Sequence, residues 1–453
     1  MKKSIEEYVE KMDVNKAAWS ISIPMVISMI SIALYGIVDT IFIANFSENA
    51  LNAVSLAYPI QNIITALGLG IAIGVNVVLS KSIGEKDENK SSKIIVNGIL
   101  ITVITWLIVA IIAALGTKSF LGFFTDNREL IGLGTSYLKI TSIFSVGILF
   151  EILFEKVLEA HGKTRESMIL QMCGAVINLV LDPILIFGYL GMPALGIRGA
   201  AITTVIGQIS GMIIGAIFII KNKIISLETL KEAKFELKTS KSILHIGIPT
   251  MIMEALSSFI IILVNKILID ISDTAVAVWG IYTKVEKFVF IMIYGFNSGM
   301  MPMIGYSLGA KKKEKVIDII HCFSKIAFAI SGIGMLVFLL LPKVIIGWFG
   351  VSPETLQTGI IAFRILSIGF IFQAISIVLS AIFQSFEKAS YSLAISLLRK
   401  VFIAIPAILI FKDIYGLNAV WWAYTIAEII TTIVAVILYK KVMKNFNKKE
   451  ESL

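Results

Sequence analysis

Ser82-Ile83-Gly84-Glu85-Lys86 returns 225 residues later as Ser307-Leu308-Gly309-Ala310-Lys311, and each copy follows a long apolar run. The same shift carries Ile23-Pro24 to Ile248-Pro249, Phe124 to Phe349, Glu129 to Glu354 and Lys163 to Lys388. Residues 21–163 therefore recur, loosely, as residues 246–388, the mark of a domain duplicated in tandem. Both copies are apolar enough for a bilayer. Two membrane halves packed face to face leave a cavity that opens to one side at a time when they rock, which is the architecture of a secondary transporter.

Of the 453 residues 57% are hydrophobic and 16% charged, and the mean hydropathy is +0.89, which excludes a soluble globular protein. A hydrocarbon core about 30 Å thick needs about 20 apolar helical residues. Runs of that kind fall near 17–45, 50–83, 93–115, 131–158, 167–190, 195–220, 243–269, 274–309, 316–341, 355–385, 390–411 and 415–440. The expected fold is all-α: a polytopic membrane protein of about twelve transmembrane helices in two six-helix bundles related by a parallel internal repeat. Residues 1–220 would form the N-terminal bundle, 221–242 a cytoplasmic linker and 243–453 the C-terminal bundle.

The net charge of +9 does not point to nucleic acid, because its distribution reads as topology. Lysines crowd the N-terminus, then Lys81, Lys86, Lys90 and Lys93, then the linker, then Lys311, Lys312, Lys313 and Lys315, then the tail from Lys440. These fall on alternate loops, so the positive-inside rule puts both termini in the cytoplasm of a multi-pass protein in a bacterial-type inner (cell) membrane. Ser4-Ile5-Glu6-Glu7 reads as a capping box, and Ile5, Tyr8, Val9 and Met12 share a face, which suggests a short helix on the inner membrane surface or a frayed tail. No cleavable signal peptide is expected, since the first apolar stretch is too long and lacks a small-residue cleavage site. Cys173 and Cys322 fit no CxxC or Cys/His pattern and read as buried free thiols.

A carboxylate in hydrocarbon is costly unless neutralised, paired or hydrated, so the intramembrane acids are informative. Asp39 lies near the outer end of the first span and Asp182 near that of the fifth, with Asn178 one turn away on the same face. Thr203 and Thr204 of the sixth span reach a similar depth. Oxygen ligands suit a hard cation such as sodium, and two nearby carboxyls share a proton readily. The plain alternative is that each acid separately satisfies a helix end. Adding 225 to Asp39 gives Val264, and Asp182 maps near Ala407, so the second copy lacks both acids.

Val38-Asp39-Thr40-Ile41-Phe42-Ile43, Asn178-Leu179-Val180-Leu181-Asp182-Pro183 and Gly199-Ala200-Ala201-Ile202-Thr203-Thr204, together with Ser307-Leu308-Gly309-Ala310-Lys311, resemble segments of the multidrug and toxic compound extrusion (MATE) family. The resemblance runs over nearly the whole chain. It implies a non-enzymatic secondary antiporter that exports organic, often cationic, compounds in exchange for Na+ or H+ by alternating access. It also implies that Asp39, Asn178, Asp182 and Thr204 bind the coupling ion, and are the metal ligands if that ion is Na+. Ala44-Asn45 departs from the glycine and basic residue that many members carry there, which leaves the substrate subclass open.

The second half offers Glu254 in the seventh span and Lys284, Glu286 and Lys287 in the eighth, most simply a Glu254–lysine pair and otherwise part of a substrate or proton site. In some branches of the similar family an acid in the seventh span contributes to substrate or cation binding, which makes Glu254 a second-tier site residue. Aromatics and methionines such as Tyr35 and Tyr282 would suit an adaptable pocket or simply pack. Glu151, Glu155 and Glu159 share a face of the fourth span towards its cytoplasmic end and read as solvated or gate-forming. Expected partners are small organic cations or drugs and membrane lipid, acting on a monomer, with no cofactor beyond the ion. The alternatives are a flippase for lipid-linked glycans, for which Arg399 and Arg364 are the candidate second-half arginines, and, more remotely, an intramembrane aspartyl hydrolase, for which no protease motif surrounds the acids. No glycine loop with lysine is present for ATP.

Overall fold

A computed structural model describes residues 4–225 and 234–451. The chain is helical in every element among these residues. In the first half run α1 (Val14–Phe46), α2 (Glu48–Gly84), α3 (Glu88–Phe124), α4 (Arg128–Ile143), α5 (Val146–Ala160), α6 (Thr164–Phe187) and α7 (Ile197–Lys221). The second half holds α8 (Leu237–Ile269), α9 (Asp273–Gly309), α10 (Lys313–Leu340), the short α11 (Pro342–Gly347), α12 (Pro353–Ile368), α13 (Phe370–Ser385), α14 (Ala389–Leu397), α15 (Ile405–Tyr415) and α16 (Leu417–Glu451). Among the described residues ten helices are long and apolar enough to cross a membrane, and counting each of two bent pairs as one span brings the number to twelve.

The duplication is visible in the backbone. Ser47 and Ser272, 225 residues apart, each cap the following helix by accepting the backbone N–H three residues on, at Ala50 and Ala275. Lys86 and Lys311 both take a positive φ, 59° and 56°, where α2 and α9 end, and Gly162 and Glu387 do so at 74° and 60°. The fourth and tenth spans, expected to be continuous, are each broken at the matching place: α4 meets α5 at 44° and α12 meets α13 at 45°. At the first break Gly147 brings α5 against the backbone of α7, where a Cβ would stand 2.9 Å from Ile209 N. The segment read as linker is helical from Leu237 onward, and its residues 226–233 lie outside the described residues.

Glycines set how the halves meet. A Cβ on Gly70 or Gly74 of α2 would stand 2.6 Å from Gly247 O or 2.4 Å from Ile243 O of α8. One on Gly84 would stand 2.1 Å from Tyr306 O of α9, and one on Gly309 2.0 Å from Lys81 O. These contacts run along α2 from Gly70 to its lysine-rich end at Gly84, so the halves are closed on each other over that end.

Two expectations about that end need correction. The N-terminal segment forms a one-turn π-helix, Glu7–Lys11, with Glu7 N donating to Ser4 Oγ at 3.3 Å, but Ile5, Tyr8 and Val9 are buried in the protein core and not laid on lipid. Glu151, Glu155 and Glu159, read as solvated or gate-forming, are buried and not solvated, because the closed seam and neighbouring helices cover α5. Cys322 is buried beside Asn15, whereas Cys173 is half-exposed.

Candidate functional site

α6 and α7 approach so closely that a Cβ on Gly207 would stand 2.7 Å from Gly174 O, and one on Gly199 2.4 Å from Leu185 O. That contact carries the Asn178–Asp182 face of α6 onto the threonines of α7. Thr203 Oγ1 donates to Asp182 Oδ1 at 2.5 Å, and both residues are fully buried. Asp39, half-buried on α1, turns its carboxyl to that of Asp182 within hydrogen-bonding reach. Two carboxylates this close repel strongly in a low dielectric unless a proton or a cation lies between them. Asp39 Oδ1, Asp182 Oδ2 and both amide atoms of Asn178 are buried without a hydrogen-bond partner among the described residues. The donor set is oxygen-rich and contains no group of three or more His, Cys, Asp or Glu among the described residues, which suits a proton or a hard monovalent cation.

Thr204 is not on Asp182. It bonds its own helix at Ala200 O, 2.9 Å, and faces Tyr137 of α4, whose hydroxyl accepts from Gln61 Nε2 of α2 at 3.1 Å. Tyr35 was read with the adaptable aromatic surface; it stands on α1 one turn from Asp39 and faces Asp39, Tyr137 and Asp182. Tyr137 and Gln61 escaped the sequence reading, because a lone tyrosine or glutamine in an apolar helix carries no signal.

The second-half polar residues gather elsewhere, around a cavity of about 600 Å³ covered on one side by Met29, Ile32 and Ala33 of α1 and so lying at the seam between the halves. Trp279 stacks on Tyr424 at 4.4 Å and Tyr282 at 5.5 Å along its wall. Glu286 accepts from Gln373 Nε2 at 2.8 Å, and Arg399 pairs with Glu428 at 3.3 Å. Arg399 and Lys400 lie on a π-helical turn, Leu398–Ala404, just before Pro406, which has no N–H to offer the carbonyl four residues back. The expected pairing of Glu254 with Lys284 or Lys287 is not formed. Glu254 faces Lys400, whose ammonium donates to Ser257 Oγ at 2.5 Å, while Lys284 is exposed. Glu254, Tyr282 and Glu286 thus belong to one region, and Tyr35 and Lys284 are separate from it.

The MatE family model matches residues 24–184 and again 249–410, so each half carries its own match, with starts 225 residues apart. The chain belongs to the MatE family. Multidrug export protein MepA of Staphylococcus haemolyticus (strain JCSC1435) is 27% identical over 452 residues, 98% of each chain. Its counterpart in Staphylococcus aureus (strain bovine RF122 / ET3-1) is 26% identical over 432 residues, 95% of this chain and 94% of the other. Among solved structures, a MATE in the bent conformation superposes with a TM-score of 0.92 at 22% identity, covering 99% of both chains. The outward-facing conformation of a multidrug resistance MATE family transporter gives 0.91 at 22%, covering 99% of this chain and 100% of that one. MatE members are membrane transporters, and this chain is a transporter, not an enzyme.

Proposed function

We propose that this MatE protein is a secondary antiporter that exports organic, cationic compounds from the cytoplasm in exchange for H+ or Na+. The observation that carries the reading is the Asp39–Asp182 pair, with its buried partnerless oxygens and Thr203 beside it. Such a pair has a low-energy state only when an ion is bound, so occupancy and helix packing are linked. The two MepA relatives are named multidrug exporters, which supports export of diverse compounds. The aromatic cavity with Glu286 in reach supports amphiphilic cations as cargo, held by ring faces and one carboxyl. Arg399 is already neutralised by Glu428, which speaks against a lipid-linked pyrophosphate as cargo. The lysine distribution supports cytoplasmic termini and linker, hence a cytoplasmically closed state here.

One ion crossing 100 mV yields about 2.3 kcal/mol, enough for roughly fifty-fold accumulation of a neutral solute. A monovalent cation leaving the cell spends the same electrical term, so one-for-one exchange must draw on the ion's chemical gradient. Proteoliposomes exporting a fluorescent cation, with sodium and pH varied separately, test the reading. Asp39→Asn and Asp182→Asn should each reduce ion-driven efflux to background while the protein stays monodisperse, and Val264→Asp should rescue neither. Normal ion-dependent efflux by Asp39→Asn would overturn the assignment.

A further inference from the structure

Beyond the carboxyl pair, the most densely charged buried feature of the first half is one face of α5. Glu151, Glu155 and Glu159 are spaced by four residues, so they stack one turn apart over about 12 Å of helix. They are 9%, 7% and 1% exposed. Lys156 Nζ lies 2.9 Å from Glu155 Oε1 and 3.0 and 2.9 Å from the two oxygens of Glu159. The Glu155 and Glu159 carboxyls are also within hydrogen-bonding reach of each other, with the Lys156 ammonium shared between them. Three carboxyls against one ammonium leave an uncompensated excess of negative charge in a buried column, which favours the binding of protons there.

Each end of the column meets a neighbouring element. Glu151 Oε1 occupies the groove left by Gly174 and Gly211, where added Cβ atoms would stand 3.2 and 2.5 Å from it. One turn along α6 from Gly174 is Asn178, 2% exposed with both amide atoms partnerless, and one turn further is Asp182. Tyr35 of α1 is within electrostatic reach of Asp39, Asp182 and Glu151 alike. At the other end Lys156 Nζ donates across the seam to Ser298 Oγ of α9 at 3.3 Å, so parting of the halves there breaks that contact. The charged or titratable groups acting on the column are Lys156 and Tyr35; α2 and α9 contribute the neutral Asn76 and Ser298.

We propose that Glu151, Glu155 and Glu159 form a proton relay between the Asp39–Asp182 site and the lysine-rich end, loaded while the seam is shut and discharged to that side when it opens. Between Glu155 and Glu159 the hop breaks an O–H bond on one carboxyl and makes one on the other; where the carboxyls are not in contact an intervening water takes the proton on one side as it gives up another to the next carboxyl, and the last step delivers the proton to water. The relay rests on the antiport reading above and selects the proton as the coupling ion.

The test is ethidium transport by the full chain in proteoliposomes, with internal pH followed by an entrapped indicator. Glu155→Gln should slow proton-driven exchange on the order of tenfold or more and flatten its pH profile. Glu155→Asp should restore most of both, and ethidium binding in detergent should be unchanged. If Glu151→Gln, Glu155→Gln and Glu159→Gln each exchange at the unaltered rate and pH profile while Asp39→Asn is inactive, the relay is wrong and the antiport reading survives. Exchange driven by a sodium gradient without proton movement overturns the relay in the same way. Normal exchange by Asp39→Asn overturns the antiport reading, and the relay with it.

Discussion

Thr203 and Thr204 are neighbours in sequence, yet only Thr203 reaches Asp182, because successive helical residues point about 100° apart. A hydrogen bond to a buried carboxyl is worth about 1.5–3 kcal/mol. Thr203→Val is therefore expected to lower ion-driven efflux by about tenfold or more, and Thr204→Val by less, when initial rates are compared at matched expression. Equal losses in the two variants would mean that the hydroxyl on Asp182 is not what holds the ion. The acids and Asn178 were legible in the sequence because a carboxylate in an apolar run is conspicuous in one dimension. Which threonine faces Asp182 was not, since it depends on the rotation of α7 against α6. Lys400 beside Glu254 was equally hidden, being a contact between segments far apart in the chain whose meeting depends on the π-helical turn.

At the scale of an element, the N-terminal segment straddles the closed end. Ile5 N donates to His161 O at 3.1 Å, and Lys86 of the first half meets Glu6 at 3.2 Å. Across the seam, Tyr306 Oη and Lys312 Nζ each donate to Glu10 at 2.8 Å. The Ser4 hydroxyl on Glu7 N was readable, but an amphipathic face does not say whether lipid or protein will cover it. Lys312, and next Tyr306, hold the Glu10 carboxyl below its usual range. A folded value below the unfolded one gives stability that is present above the ordinary carboxylate range and is lost as pH falls through the folded value. Glu10→Gln should thus raise hydrogen exchange in residues 5–11 at neutral pH and remove its acid dependence. The cost is about 1 kcal/mol or less for so solvent-screened a pair. Unchanged exchange in this variant would show that the buried Ile5, Tyr8 and Val9, with the His161 and Lys86 contacts, hold the segment without Glu10.

For the whole molecule, the repeat and its span count were legible because a 225-residue shift survives in motifs, caps and turns alike. Which end is shut was not legible, because closure depends on glycines of one half meeting backbone of the other. Gly309 shows the dependence most sharply: its missing Cβ would stand 2.0 Å from Lys81 O, a backbone atom that cannot swing aside. Gly309→Ala should therefore destabilise the closed seam and favour the state open at the lysine-rich end, whereas Gly332→Ala, with nothing within 4 Å, should not. Ser80 is fully buried in α2 at this seam, so Ser80→Cys in a background lacking Cys173 and Cys322 reports on opening. An impermeant maleimide applied to inside-out vesicles should label that cysteine slowly alone and much faster with Gly309→Ala. Labelling that accelerates instead from the outside of intact cells would reverse the membrane orientation. No acceleration from either side in a well-folded protein would mean that the glycine contacts do not hold the seam shut.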